Sequence, residues 1–437
     1  MGTAGQGCFH GLSYAGRLIA IATTSAKYRR GLLIGFLAGL VMIHGLIWWR
    51  SHRELRAGYQ DFAAFYTAGK LVSEGKGSQL YDDDLQYRTQ LEFAPGVDIR
   101  QGPMRYIHPP LEAVVFVPFA KLPYFEAYLL WSFLNLIVLG LAVLVLRSHL
   151  PGLRAQPALW WLVGPGFFPA FLALIQGQDI LPLLLLYALA WTAMKRHSDF
   201  TAGCWFGLGL FRFHLVLPFL FVLALRKRWR LLGGSAAMAM LMALLSVAVI
   251  GWKAALAYPA YSLHLANQVG TGVNTPEHMP NLRGLLYVLL PSGKSHLLLF
   301  AVVALSLVML WVTAKVWRSS DEPGLFSLRF SLALIAALLV SYHGYDYDLS
   351  LALIPVLLSL DYLQTHSTPR STQWLLLAPA FLLFLTPLHM VLLFQWRFAC
   401  LLSIVLLFWF WVVAREILRA SNHSSAHPNA VPESVTL

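Results

Sequence analysis

Apolar stretches long enough to cross a lipid bilayer recur along the whole of this sequence, and a crossing helix needs about 20 mostly apolar residues. The stretches leave no room for a separate soluble domain of ordinary size. The sequence therefore predicts an all-α polytopic membrane protein, with a single integral domain over residues 1–420 and a disordered tail at 421–437. The twelve predicted spans are 32–49, 124–146, 158–175, 179–195, 201–213, 214–226, 231–250, 296–315, 326–342, 347–362, 374–391 and 397–415.

Composition supports a membrane protein over other classes. The chain is 58% hydrophobic and 12% charged, whereas soluble domains carry about 25% charged residues. A net charge of +12 would suggest nucleic-acid binding in a soluble protein, but here Lys and Arg gather in short loops, as they do on the cytoplasmic side of membranes. No nucleic-acid partner is predicted. The three cysteines are far apart, so we expect no disulfide scaffold or zinc site. No bound metal or cofactor is predicted.

Residues 201–226 form one long apolar stretch that we predict to be two short helices. Splitting it near Arg212 and His214 puts the dense basic cluster at 226–230 on the cytoplasmic side, as basic short loops prefer. The split also removes Arg212 from the bilayer centre, where it would cost at least ~2.5 kcal/mol. Both termini are then cytoplasmic. The apolar segment 109–120 is too short to cross, so we expect it to be interfacial or re-entrant.

The first outer loop, predicted at 50–123 with short interfacial helices, contains the one long polar stretch. Between Arg50 and His108 it holds 8 of the 20 acids and 8 Lys and Arg. Asp61 follows soon after the first span. The run Asp82-Asp83-Asp84 is more typical of a solvated helix start than of a metal site, because three adjacent acids cannot easily face one ion.

The predicted topology brings five polar clusters to the outer face. Ionisable residues at membrane depth are rare and usually face a cavity or a partner, so convergence of the clusters predicts one outward-facing site. The clusters are residues 61–70, 176–179, 212–214, 274–283 and 343–348.

Several motifs in a fixed order resemble a known family. The likeness rests on the following motifs, in chain order: Asp61-Phe62 with Phe65-Tyr66 and Ala68-Gly69, Leu80-Tyr81, His108-Pro109-Pro110, Pro118, Leu122-Pro123, Gly177-Gln178, Pro218, and His343 to Asp348 with Pro355. Together they resemble the polyprenyl-phosphate-mannose-dependent mannosyltransferases of glycosyltransferase family 87, which have the GT-C architecture.

The resemblance implies transfer of a hexose, which is mannose in the family, from a polyprenyl-phosphate-linked donor to a glycan or glycolipid acceptor outside the plasma membrane. It makes Asp61 the general base. Donor-phosphate contacts are then expected from His343, Arg212, His214, Lys70 and Arg105. Further substrate contacts are expected from Tyr66, Tyr81, His108, Gln176, Gln178, Asp179, Asn281, Arg283, Asp346 and Asp348.

Two other classes share the membrane setting. An ion-coupled transporter or lipid flippase also keeps buried acids, but near the bilayer midplane and often in interrupted helices. A polysaccharide ligase or polymerase would typically carry its long loop late in the chain, whereas this sequence has it first.

Overall fold

The computed structural model describes residues 7–94, 103–154, 157–266, 268, 274–290, 295–318 and 323–426; for residues 7–27, 29, 157–158, 266, 295, 323 and 423–426 it describes the backbone alone. No β-strand occurs in these ranges, which agrees with the predicted all-α class. The helices are α1 (Gly7–Arg50), α2 (His52–Ala57), α3 (Phe62–Ser73), α4 (Asp83–Phe93), α5 (Tyr124–Arg147), α6 (Pro157–Val163), α7 (Phe168–Gln176), α8 (Ile180–Lys195), α9 (Asp199–Leu208), α10 (Phe213–Leu225), α11 (Trp229–Ile250), α12 (Trp252–Ala266), α13 (Leu282–Leu289), α14 (Ser295–Arg318), α15 (Phe326–Val340), α16 (Leu353–Thr365), α17 (Arg370–Phe384), α18 (Thr386–Met390) and α19 (Leu402–Ala426).

By length and composition, the described part of the chain contains 6 helical segments able to cross a membrane, or 7 if the bent pair formed by α17 and Thr386–Gln395 counts as one. The six are Arg30–Arg50, Tyr124–Arg147, Asp199–Leu225, Trp229–Ile250, His296–Arg318 and Ala399–Asn422. The chain is therefore a multi-pass membrane protein. Twelve complete crossings remain a prediction, because α8 and α15 are apolar but only 16 and 15 residues long.

Asp199–Leu225 passes the length test as one span, yet its contacts are those of a hairpin. The rings of Phe206 and Phe219 lie 5.0 Å apart, whereas a straight helix would separate them by about 20 Å. Arg228 Nη2 likewise forms an ion pair with Asp199 Oδ1 at 2.8 Å. The chain reverses through the 3₁₀ turn Gly209–Arg212, so the predicted split near Arg212 is confirmed.

Close backbone packing joins α9 to α11. A Cβ built on Gly203 would lie 2.0 Å from the carbonyl oxygen of Leu231, and one on Gly234 would lie 2.2 Å from that of Phe200. Small residues of this kind let membrane helices approach each other closely. The α9–α11 contact therefore holds α9 of the hairpin against the next helix of the chain.

The polar segment 50–123, predicted to be the first outer loop, contains the short helices expected of it; its sidedness stays a prediction. It contains α2, α3 and α4, and residues 109–120 form the 3₁₀ helices Pro110–Phe116 and Phe119–Lys121 instead of a crossing. Aromatic side chains hold this layer on α5; the Phe116 and Trp131 rings, for example, lie 4.8 Å apart. Asp82 caps α4 by accepting a hydrogen bond from the Leu85 backbone N–H at 3.0 Å, which agrees with the expected helix start.

Contacts between turns define two ends of the helical bundle. Asp61, Asp179 and Arg212 lie at what we call the site end. At the far end, Lys195 donates to the His149 carbonyl at 2.8 Å and the Gly152 backbone N–H donates to Asp361 at 2.9 Å.

The helix α19 continues to Ala426, six residues into the segment expected to be disordered. Residues 427–437 lie outside the described ranges.

The substitution Gly203→Ala tests the α9–α11 packing. We expect it to lower the free energy of unfolding by about 1–3 kcal/mol, because the added methyl group forces two backbones apart. Gly233→Ala on α11 is the matched control, since a Cβ there meets nothing within 4 Å. Thermal unfolding of the two variants in detergent measures the difference; equal melting temperatures would contradict the close packing.

Candidate functional site

Arg212 lies at the centre of the polar residues at the site end. Its Nε donates to Asp179 Oδ1 at 2.7 Å and its Nη1 to Asp348 Oδ1 at 2.8 Å. Its Nη2 donates to Gln178 Oε1 and to Asp179 Oδ1. The Arg212 side chain is only 4% exposed. A buried guanidinium needs partners of this kind to offset its loss of hydration, and here they come from two separate segments.

Asp61 precedes α3 and connects to Arg212 through one glutamine. Gln178 Nε2 donates to Asp61 Oδ2 at 2.6 Å, while Gln178 Oε1 accepts from Arg212. The Asp61 backbone N–H also donates to Gln176 Oε1 at 3.4 Å. The amide of Gln178 is therefore fixed in one orientation, and it in turn orients the half-buried Asp61 carboxylate.

The turn after α7 sets the positions of Gln178 and Asp179. Gly177 ends α7 with φ +65°, a left-handed conformation that glycine adopts without strain. A Cβ at this position would also lie 2.7 Å from Phe62 Cβ. From α5, Trp131 Nε1 donates to the Gly177 carbonyl and Tyr128 Oη to the Ile175 carbonyl, both at 2.9 Å. The turn is thus held from two sides.

His108 contacts two carboxylates beside this turn. Its Nδ1 lies 3.0 Å from Glu112 Oε2 and 3.4 Å from Asp179 Oδ2. Burial alone would lower the pKa of His108, but the two carboxylates raise it to about 9. Burial raises the pKa of Glu112 to about 8, against the opposing effect of His108. In the described part of the chain, these are the side chains whose types and spacing could hold a metal ion.

A second group of polar side chains surrounds His343. The His343 ring lies 6.0 Å from that of His214 and 5.1 Å from that of Tyr345. Burial, with the nearby positive charge of Arg212, lowers the pKa of His343 to about 3. The imidazole is therefore uncharged at neutral pH and can donate one N–H. His214 Nδ1 lies 2.9 Å from Ser341 Oγ, which fixes its ring.

Asn281 and Arg283 line the start of α13 next to this group. Asn281 caps the helix by accepting from the Gly284 backbone N–H at 2.8 Å. Arg283 is buried, stacks 4.0 Å above the Tyr342 ring and donates to the Tyr342 carbonyl at 3.2 Å. This arrangement keeps a guanidinium close to His343, and no carboxylate in the described part of the chain forms an ion pair with it.

Several residues expected in the site make their contacts elsewhere. Lys70 pairs with Glu92 on the surface, about 14 Å along α3 from Asp61, and Arg105 pairs with Asp83 at 2.8 Å. Tyr66 donates to the Leu122 carbonyl at 2.8 Å. The buried Asp346 Oδ2 lies 3.5 Å from His389 Nδ1. Tyr81 contributes only by donating to the His108 carbonyl at 2.8 Å.

Sequence reasoning missed two residues of the site. Glu112 is the one acid in the apolar segment 109–120 and follows His108 by four residues, a signal that could have identified it. Tyr347 places its ring 5.5 Å from the Arg212 guanidinium carbon, and no sequence pattern indicated this contact.

Arg212→Met tests the central pairing. Removing one partner of a buried ion pair leaves uncompensated charge and typically costs about 3–5 kcal/mol, so we expect a much lower melting temperature. Arg230→Met at an exposed position is the control and should behave as the unaltered protein. An Arg212→Met protein with unchanged stability would show that Asp179 and Asp348 do not depend on this guanidinium.

Comparison with known proteins gives one match. The family model described as Glycosyltransferase family 87 matches residues 106–341, which is more than half of the chain. No curated protein and no solved structure matches. The matched range includes His108, Glu112, Asp179 and Arg212, whereas Asp61 and residues 343–348 lie outside it. The chain belongs to glycosyltransferase family 87 and is a membrane glycosyltransferase.

Proposed function

We propose that the protein transfers a hexose, mannose by the family likeness, from a polyprenyl-phosphate donor to a glycan or glycolipid acceptor outside the plasma membrane. Asp61 is the general base. The observation that carries the proposal is the chain of contacts from Asp61 through Gln178 to the buried Arg212. It holds one carboxylate in a defined orientation at the helix ends, where a lipid-anchored sugar phosphate would reach the membrane surface.

The reaction needs a proton acceptor but no separate acid. The acceptor hydroxyl oxygen forms a bond to the anomeric carbon and gives its proton to the Asp61 carboxylate. The bond from that carbon to the phosphate oxygen breaks, and polyprenyl phosphate leaves with the electron pair. A positioned base contributes typically ~10²–10⁴-fold. Because Asp61 acts only as a base in this scheme, the transfer inverts the anomeric configuration.

Arg212 was expected to contact the donor phosphate, but we now propose a different role for it. Its N–H groups are engaged by Asp179, Asp348 and Gln178, so we assign it to holding Asp61 and the adjacent turn. Lys70 and Arg105 pair with other acids and lose the same role. We assign the donor phosphate to His343, His214 and Arg283, which lie together beside Tyr342 and Tyr345. Fixed donors of this kind stabilise the charge that develops on a leaving phosphate.

The competing classes fit the molecule less well. Membership in a glycosyltransferase family argues against a transporter or flippase as the primary activity. A ligase or polymerase would use the same kind of lipid donor. The choice between these and a hexosyltransferase depends on the acceptor and on whether one sugar or a whole chain is moved.

Asp61→Asn tests the assignment of the base. We expect transfer of radiolabelled mannose from polyprenyl phosphate to fall at least ~10²-fold, because an amide cannot accept the proton. Glu74→Gln in the same outer layer is the control and should keep full activity. Matching gel-filtration profiles would establish that both variants are folded. Full activity in Asp61→Asn would reject the base, and no transfer by the unaltered protein would reject the donor.

Cysteine labelling of intact cells tests the sidedness. We expect a membrane-impermeant reagent to label a cysteine at the exposed Glu74 and to leave one at the exposed Arg230 unlabelled until the membrane is opened. The native cysteines Cys8, Cys204 and Cys400 are replaced first. Labelling of position 230 alone from outside would put the site end in the cytoplasm and contradict the proposed orientation.

A further inference from the structure

Three side chains from two segments of the chain place atoms of the kinds that bind metal ions close to one another. His108 and Glu112 belong to the 3₁₀ region of the outer layer, and Asp179 belongs to the turn before α8. Their ligand atoms all lie within 4.8 Å of one another. The measured separations from His108 Nδ1 are 3.0 Å to Glu112 and 3.4 Å to Asp179.

The two separations from His108 Nδ1 fall within the range of distances between neighbouring ligands of one metal ion. Metal–ligand bonds of about 2.1 Å, as zinc makes with imidazole and carboxylate, put neighbouring ligands about 3.0 Å apart in an octahedron and about 3.4 Å apart in a tetrahedron. The ligand types agree as well, since imidazole suits first-row transition metals and carboxylates suit Mn²⁺ and Mg²⁺.

The same three atoms lack hydrogen bonds. His108 Nδ1, Glu112 Oε2 and Asp179 Oδ2 are buried and have no hydrogen-bond partner of acceptable geometry. The Asp179 side chain is only 3% exposed, and its other oxygen accepts from Arg212. Buried polar atoms are normally satisfied, and an exception calls for an explanation such as an ion. Here all three unsatisfied atoms lie within 4.8 Å of one another.

The charge of the region also favours a cation. One guanidinium, Arg212, contacts the carboxylates of Asp179 and Asp348, and Glu112 adds a third carboxylate through His108. Metal ligands bind in their deprotonated forms. With the three carboxylates ionised and the imidazole neutral, the group would carry two excess negative charges, which a divalent ion would neutralise. Uncompensated buried charge is costly.

We propose that His108 Nδ1, Glu112 Oε2 and Asp179 Oδ2 bind a divalent transition-metal cation, Mn²⁺ or Zn²⁺. This goes beyond the proposed sugar transfer, because cation binding does not depend on any donor or acceptor. Three protein ligands leave coordination positions for other oxygens. The ion would also add positive charge next to Gln178 and Asp61, where the charge of Arg212 is already offset by two acids.

Direct binding measurements test the site. The purified full chain in lipid nanodiscs is stripped with a chelator and titrated with MnCl₂ or ZnCl₂, with no sugar donor present. Bound metal is measured by calorimetry and, for Mn²⁺, by electron paramagnetic resonance. We expect one ion per chain, together with a rise in melting temperature. Glu112→Gln and His108→Asn should each weaken binding at least tenfold, as loss of a direct ligand requires.

Asp346→Asn is the matched control. It removes the carboxylate of another buried histidine pair, that of His389, at 3.5 Å, and should bind metal as the unaltered protein does. No stoichiometric binding by the unaltered protein, or equal affinity in all variants, would overturn the proposal and leave the three side chains as a buried ion pair. Because no transfer is measured, this result is independent of whether the donor is a polyprenyl phosphate.

Discussion

The buried charge of Arg212 is the constraint on which the rest of the site depends. A guanidinium this far from water is stable only when fixed acceptors surround it. They are Asp179 and Gln178, from the turn after α7, and Asp348, from the 3₁₀ turn before α16. The hydrogen bonds that satisfy the Arg212 guanidinium therefore join the α9–α10 hairpin to two segments that are distant in the sequence. Gln178 then extends the connection to Asp61.

This arrangement separates structural charge from charge available to a substrate. Arg212 meets two carboxylates inside the protein, so it organises the site more than it attracts an anion. His343 and Arg283 lie at the same end beside aromatic rings, and within the described ranges neither forms an ion pair with an acid. In the proposed mechanism, a sugar phosphate bound there would present its sugar to Asp61. In the proposed mechanism, this division would supply both a fixed base and a place for the leaving group.

The sequence predicted those features that follow from burial and from the distribution of basic residues. The all-α class, the layered outer loop and the reversal at Arg212 all follow from apolar length and from the basic cluster at 226–230. The partners of individual charges did not follow. Lys70 and Arg105 pair with nearby acids because a solvated loop offers many such partners, and sequence spacing alone does not choose among them. The His108–Glu112–Asp179 contact depends on tertiary packing across 71 positions.

A structure of the protein with a non-reactive polyprenyl-phosphate sugar analogue bound tests the central claim most directly. The account predicts the sugar within about 3 Å of the Asp61 carboxylate, with the phosphate between His343 and Arg283 and the lipid chain leaving toward the bilayer. A head group bound at the far end, near Lys195 and Asp361, or with Asp61 out of reach of the sugar, would contradict it.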